Sequence, residues 1–421
     1  MKKISLGLLG TLLLTTACQQ PGFAPRGAFN PNVPRLRAQT ASTTALPSVE
    51  NRVIIAYQGQ LSPAKIQEIE QKNGLKFHKN IPQIKVAVFS GQSRNPVQSL
   101  SQDPAIVVAS GDSRPRPIEG NPQLVQPPIS RGSEDPLKGD QWSLKAVDAE
   151  KAWGISKGKN NVIVGIVDTG VDLQHEDLAP NLLKGYNAVK PGQPPQDSGY
   201  HGTHVAGIVG AVSDNGKGVT GIAPQVKLLP VQVLARGAGV AEVTDGIVWA
   251  VDNGSKVINL SLGWDYPSPA VEEAFKRAVK YALDKNVVIC AAMSNSSRFN
   301  PKSVPDNLAN KPGFEGVIGV GNVDINDRRQ GAYGDWKSVS SPGTKILSTM
   351  PGNKYGNLTG TSMATPMVAG ISALIISQNP GIKNTEVKRR IMATAFDLGD
   401  KGMDDQFGAG RINAFQVLRI K

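Results

Sequence analysis

Cysteine and histidine are scarce in this chain. Its 421 residues include two cysteines, four histidines and 5% aromatic residues. With only Cys18 and Cys290, a disulfide-stapled scaffold is excluded, so the fold must rest on its apolar core and on any metal it binds. Cys290 sits inside the apolar run 287–292 and reads as a small buried hydrophobe. Four histidines leave little for a zinc centre. His201 and His204 stand three apart on one helical face, yet no third ligand follows at a suitable spacing and no His-Glu-x-x-His occurs. His204 is therefore expected to pack and hydrogen-bond. The net charge of +12 points to no partner, because the basic residues are scattered. Their densest cluster, Lys388-Arg389-Arg390, has no aromatic residue on which a base could stack; it reads as a solvated face, and no nucleic-acid partner is expected.

What the chain does carry is Gly360-Thr361-Ser362-Met363-Ala364-Thr365-Pro366-Met367-Val368-Ala369-Gly370, followed by the apolar run 371–376. The order predicts a turn that delivers Ser362 to the first turn of a buried helix. Unpaired N–H groups there favour negative charge, which suits a serine whose attack on a carbonyl creates an oxyanion. Taken alone, such a serine reads as an ordinary N-cap. The upstream sequence changes that reading. His201-Gly202-Thr203-His204-Val205-Ala206-Gly207 again leads small residues into an apolar helix. The run 161–167, apolar from Val162 onward, ends in Asp168-Thr169-Gly170 and predicts a central parallel strand with a carboxylate at its carboxyl end, the edge where α/β sheets bind ligands. The order Asp, His, Ser is that of the subtilisin triad.

On these three motifs the chain resembles the subtilisin-like serine proteases, or subtilases, over about residues 136–421. The resemblance implies an α/β fold with a doubly wound, mostly parallel sheet flanked by helices, preceded by a small α+β prodomain. It implies that Asp168 orients His201, that His201 takes the proton of Ser362, and that Asn295 with the Ser362 backbone N–H holds the oxyanion. Activity is then expected to fall on the acid side of neutrality, as His201 protonates. It implies that Gly237, Ala238 and Gly239 face Ser261, Leu262 and Gly263 as two walls holding an extended peptide by its main chain. It further implies a structural calcium ion held by Gln141, Asp177, the Ser213 carbonyl, Asn215, and the carbonyls of Lys217 and Val219. That all-oxygen set with one carboxylate suits calcium, provided the Lys217 ammonium points away. His175 reads as a structural surface residue rather than a second base. The chain departs from the family at Met293 and Ser294, where Ala-Gly is usual. Ser294 is expected to crowd the specificity pocket and favour small or slender residues before the scissile bond.

Residues 1–18 join Lys2 and Lys3 to an apolar segment, 4–14, too short to span a bilayer, and read as a secretory signal. The ending Leu14-Thr15-Thr16-Ala17-Cys18 resembles a lipoprotein box, with Thr15 where that pattern has leucine. Lipidation of Cys18 would hold the protein at a membrane, whereas ordinary cleavage would release it. Residues 19–48 read as a flexible tether. Residues 49–110 alternate strand runs (53–57, 85–89, 106–109) with helices (63–73, 96–101) and resemble the family's inhibitory prodomain; an unrelated accessory domain is the other reading. The proline-rich linker 111–135 is expected to be exposed and to hold the maturation bond, near Arg114 and Arg116 or within 130–135. Residues 136–421 form the catalytic domain. The expected protein is an exported or lipid-anchored serine endopeptidase made as an autoprocessed zymogen, monomeric, acting on polypeptides. Two other readings are a subtilase-fold binding protein, with only Met293 and Ser294 behind it, and a protein that uses the fold for surface attachment through Cys18; the intact set Asp168, His201, Ser362 and Asn295 speaks against both.

Overall fold

Runs of β-branched residues at the start of the described chain pair into a small antiparallel sheet before the larger parallel one is reached. The structure is a computed structural model, which describes residues 49–91, 96–115, 122–126 and 132–420, all in the unit Leu46–Lys421. The expected signal, tether and lipidation site at Cys18 lie outside these residues, as do Arg116 and Ser130. The small sheet has the order β2-β3-β1-β4, from β1 (Arg52–Tyr57), β2 (Lys76–Ile81), β3 (Val86–Ser90) and β4 (Ile106–Gly111). Helices α1 (Pro63–Asn73) and α2 (Pro96–Ser101) cover one face, and Ile55, Ile69, Phe89 and Leu100 form a core between the layers. The other face carries Ile54, Val86 and Val88, which are buried in the core of the large domain rather than in the small domain's own. Burial of both faces explains why β1 reads as a continuous apolar run.

The large sheet is doubly wound, as expected. Its five main strands are β5 (Ile163–Asp168), β6 (Lys227–Gln232), β7 (Val257–Leu260), β8 (Val288–Ala292) and β9 (Val317–Val323), parallel and in the order β9-β8-β7-β5-β6. Short strands Tyr186–Asn187 and Val339–Pro342 extend it in parallel, and Arg329–Gln330 adds an antiparallel edge. Helices α3 (His201–Gly210), α4 (Val240–Asp252), α5 (Pro269–Asp284) and α6 (Thr361–Gln378) cover the faces. Alternate strand residues sort the cores: Ile166, Val257 and Cys290 join α3 and α6, whereas Val167, Ile258 and Ile289 join α4 and α5. Strand order reverses beside β5, so its carboxyl end, with Asp168, sits at the topological switch point. Among the described residues no helix is long and apolar enough to cross a membrane.

Two expectations need correction. The described part of the linker is mostly exposed, as expected, but it is not without structure: Gln123–Val125 pairs with the hairpin strand Lys354–Leu358, and Asp135 is 5% exposed. Asp135 turns inward because its carboxylate accepts the N–H groups of Asp214 and Asn215 and the Thr220 hydroxyl. His175 is also no surface residue. It is 0% exposed, its Nε2 lies 3.1 Å from the Lys354 carbonyl, its Nδ1 accepts from Asp177 N, and its ring meets Tyr355 edge-on. Burial keeps its pKa below the ordinary histidine value.

Candidate active site

Asp168 closes β5 and is fully buried, and its Oδ1 accepts from Thr169 N at 2.7 Å. The same oxygen lies 2.8 Å from His201 Nδ1, the hydrogen bond that holds an imidazole in one tautomer with Nε2 turned outward. His201 starts α3, and the helix is tied to the strand end by Asp197, a residue that no motif marks. Asp197 accepts from the Thr169 hydroxyl at 2.8 Å, from Thr203 N at 2.9 Å and from the Thr203 hydroxyl. Burial raises its pKa, while those donors pull it down. Gly202 lets the helix approach, since a Cβ there would lie 2.0 Å from the Gly170 carbonyl. His204 points the other way: its Nε2 lies 3.0 Å from both the Ile346 and Gly356 carbonyls, so it donates and packs as expected.

Ser362 is the second residue of α6, which shares a core with α3, and is 3% exposed. Its hydroxyl donates to the Ser261 carbonyl at 3.2 Å, and the Ser261 hydroxyl donates back to the Ser362 carbonyl at 2.8 Å. The nucleophile candidate is thus tied to one of the two predicted cleft walls. Asn295 follows β8, and its Oδ1 accepts from Thr361 N at 2.9 Å, directly before Ser362. Thr361 Oγ1 also reaches the Met293 carbonyl at 2.6 Å. Ser294 is buried at 2% exposure and turns its hydroxyl toward Asp265 Oδ2 at 3.3 Å and Ser296 Oγ at 3.0 Å.

The opposite wall adjoins α4. Gly237 has φ 87°, Ala238 is buried, and Gly239 N donates to Glu242 Oε2 at 2.8 Å. The chain's own linker lies against both walls. Asp112 Oδ1 accepts from Val240 N at 3.0 Å, and the Ser113 carbonyl accepts from Trp264 Nε1 at 3.0 Å, just after Leu262 and Gly263. A buried Arg52 completes this contact by donating to both oxygens of Glu242 at 2.9 and 3.2 Å. Burial pushes the Asp112 carboxyl up to about 6.

Of the predicted calcium residues, Asn215 and Val219 lie against Asp177, which is 0% exposed. Its carboxylate accepts from Asn215 Nδ2 at 2.8 Å and Val219 N at 2.9 Å, while Gln141 pairs with the Thr220 backbone through both amide atoms. The Lys217 ammonium points away, to Glu176 Oε2 at 3.1 Å. Burial, with Asp135 and Glu176 near, pushes the Asp177 carboxyl up to about 7, an environment that a cation would relieve. Among the described residues no group of three or more His, Cys, Asp and Glu side chains suits a metal, so any ion here would depend on neutral oxygens.

An acid at the switch point, an imidazole bound to it and a hydroxyl heading a buried helix define a serine protease built on a doubly wound sheet. Residues 159–410 match the subtilase family. A thermophilic serine proteinase from Bacillus sp. (strain AK1) is 39% identical over 288 residues, 67% of each chain. Thermitase from Thermoactinomyces vulgaris is 36% identical over 284 residues, 66% of this chain and 96% of its own. The crystal structure of fervidolysin from Fervidobacterium pennivorans, a keratinolytic enzyme related to subtilisin, superposes with a TM-score of 0.73 at 25% identity, covering 91% of this chain and 66% of that one. The chain belongs to the subtilase family of subtilisin-type serine proteases.

Proposed function

We propose that the protein is an endopeptidase that cleaves through an acyl-enzyme at Ser362 and is made as a zymogen. The observation that carries this reading is the 2.8 Å bond between Asp168 and His201, with Ser362 in the first turn of α6, the helix that shares a core with α3. With Nδ1 given to Asp168, His201 Nε2 takes the Ser362 proton as Oγ attacks the peptide carbonyl, then returns it to the departing amine. Asn295 Nδ2 and the Ser362 N–H receive the negative charge that develops on the carbonyl oxygen. Water then repeats the sequence on the acyl group. The walls at 237–239 and 261–263 bind the main chain of an extended substrate. The 49–110 domain acts as an intramolecular inhibitor, a role supported by residues 112 and 113 bonding to Val240 and Trp264, which directly follow the two walls. Export, with Cys18 as lipid anchor or the chain released, belongs to the same reading.

Expression of residues 19–421 beside Ser362→Ala tests it. The unsubstituted protein is expected to shorten itself and to react with a serine-directed fluorophosphonate. Ser362→Ala should stay full length, with peptide hydrolysis lower by about 10⁶-fold, a magnitude known from subtilisin itself. Equal labelling of both proteins would refute the assignment.

Substrate choice follows from Ser294. Its side chain occupies space that glycine leaves open in relatives, so small or slender residues fit before the scissile bond. A peptide library scan should rank alanine above phenylalanine there, and the reverse ranking would reject the idea.

A calcium ion at Gln141, Asp177, Asn215 and the carbonyls of Ser213, Lys217 and Val219 belongs to the same proposal. It would tie the residue 141 segment to the loop after α3 and serve the fold rather than the reaction.

A further inference from the structure

Asn259 is a polar residue where the sheet should have none. It lies in β7, opposite Ile166 of β5 on one side and Cys290 of β8 on the other, and all three are 0% exposed. Ile166, Cys290 and Val257, two residues back on the same strand face, belong to the apolar layer beneath α6. Among the described residues, Asn259 Oδ1 has no hydrogen-bond partner, a cost that a leucine or valine at this site would avoid. Its Nδ2 has one: it donates to Ser261 Oγ at 2.9 Å.

The direction of that bond decides what Ser261 does. An amide nitrogen only donates, so Ser261 Oγ must accept from Asn259, and its single proton is left for another acceptor. That acceptor is the Ser362 carbonyl, 2.8 Å away. Without the Asn259 donor, the hydroxyl could rotate and share its proton among other acceptors. In the other direction, Ser362 Oγ rests on the Ser261 carbonyl at 3.2 Å. Two opposed bonds therefore clamp the end of a cleft wall to the first turn of α6, and Asn259 fixes the polarity of one of them.

We propose that Asn259 is a positioning residue for peptide-bond hydrolysis, acting through Ser261 to hold the Ser362 backbone where its hydroxyl meets the substrate carbonyl. The proposal rests on Ser362 as the nucleophile. Asn259 itself touches no reacting atom, so its effect belongs to kcat rather than to KM.

The test compares Asn259→Leu, Ser261→Ala and the double variant with the unsubstituted enzyme and with Ser362→Ala, by steady-state peptide hydrolysis, fluorophosphonate labelling rate and melting temperature. Asn259→Leu, with the same number of side-chain heavy atoms and no polar ones, is expected to fold, with kcat and labelling rate lower by about tenfold at an unchanged KM. Ser261→Ala should show a similar loss, and the double variant should be no slower than the worse single one, because both remove the same link. A parent-like kcat in Asn259→Leu, a fall only in melting temperature, or fully additive losses would overturn the proposal. If Asn259→Leu does not fold, Ser261→Ala still decides: a parent-like kcat there removes the link through which Asn259 is said to act. Hydrolysis that survives Ser362→Ala would instead strike at the proposed function, and so the two failures are told apart.

Discussion

Asn295 has one acceptor and two donors on its amide, and the acceptor is taken by Thr361 N at 2.9 Å. That bond turns Nδ2 away from Thr361, so the donor orientation is set before substrate arrives, which is what makes such a group effective. Asn295→Ala is expected to lower kcat by about 10²–10³ with little change in KM, a size measured on the equivalent donor of subtilisin and not deduced from this geometry. Asn295→Asp should do the same, since a carboxylate cannot donate; steady-state kinetics at near-parent kcat in either variant would exclude the role. At this scale the sequence was informative where residues sit in motifs. Asp168, His201, Ser362 and Asn295 could be named because each follows a strand run or opens a helical one. Asp197 and Asn259 could not, because their partners are set by the meeting of separate segments: Asp197 reaches Thr169, 28 residues away, and Asn259 matters only through a serine that touches residue 362. His175 was misjudged for the same reason, its exposure being decided by the hairpin around Tyr355 that folds over it.

Helix α3 approaches the turn after β5 so closely that only hydrogen fits at position 202. A methyl there would meet the Gly170 carbonyl at 2.0 Å and the Asp168 side chain at 3.2 Å. Gly202→Ala is expected to push the helix off the strand end, costing about 1–3 kcal/mol in urea unfolding and tenfold or more in kcat as His201 leaves Asp168. Parent-like activity would mean that the helix is not clamped by this contact. The elements most legible in the sequence were those with their own end signals. Ser62 caps α1 by accepting from Lys65 N at 3.2 Å, Pro63 occupies the first turn, and Gly74 ends the helix at φ 61°. β2 escaped notice because Lys76-Phe77-His78-Lys79-Asn80-Ile81 has two apolar residues in six. It forms by pairing with β3 at the sheet edge, and its Lys79 pairs with Asp245.

For the molecule as a whole, stability without disulfides depends on how distant segments are tied, and the loop after α3 is one such tie. Asp135, Gln141, Asp177 and Asn215 converge there from four stretches of chain. A chelator is expected to lower the melting temperature by several degrees, and added calcium to restore it, because an ion that binds only the folded state stabilises it by mass action. Melting curves that coincide with and without chelator would remove calcium from this loop. The small domain is a second tie, since Ile54, Val86 and Val88 lie in the core of the large domain and Arg52 is buried against Glu242. The amino-acid order alone determined the class of fold and showed the three motifs, because strand and helix periods and end signals are local and repeat within a few residues; the roles of Asp168, His201 and Ser362 came from the resemblance those motifs carry. Only the tertiary structure decided that Gln123–Val125 pairs with a strand, that His175 is inside, and that Asp197 bonds to Thr169 and Asn259 to Ser261. Those properties depend on which surfaces meet across the sheet, and no short-range pattern encodes that.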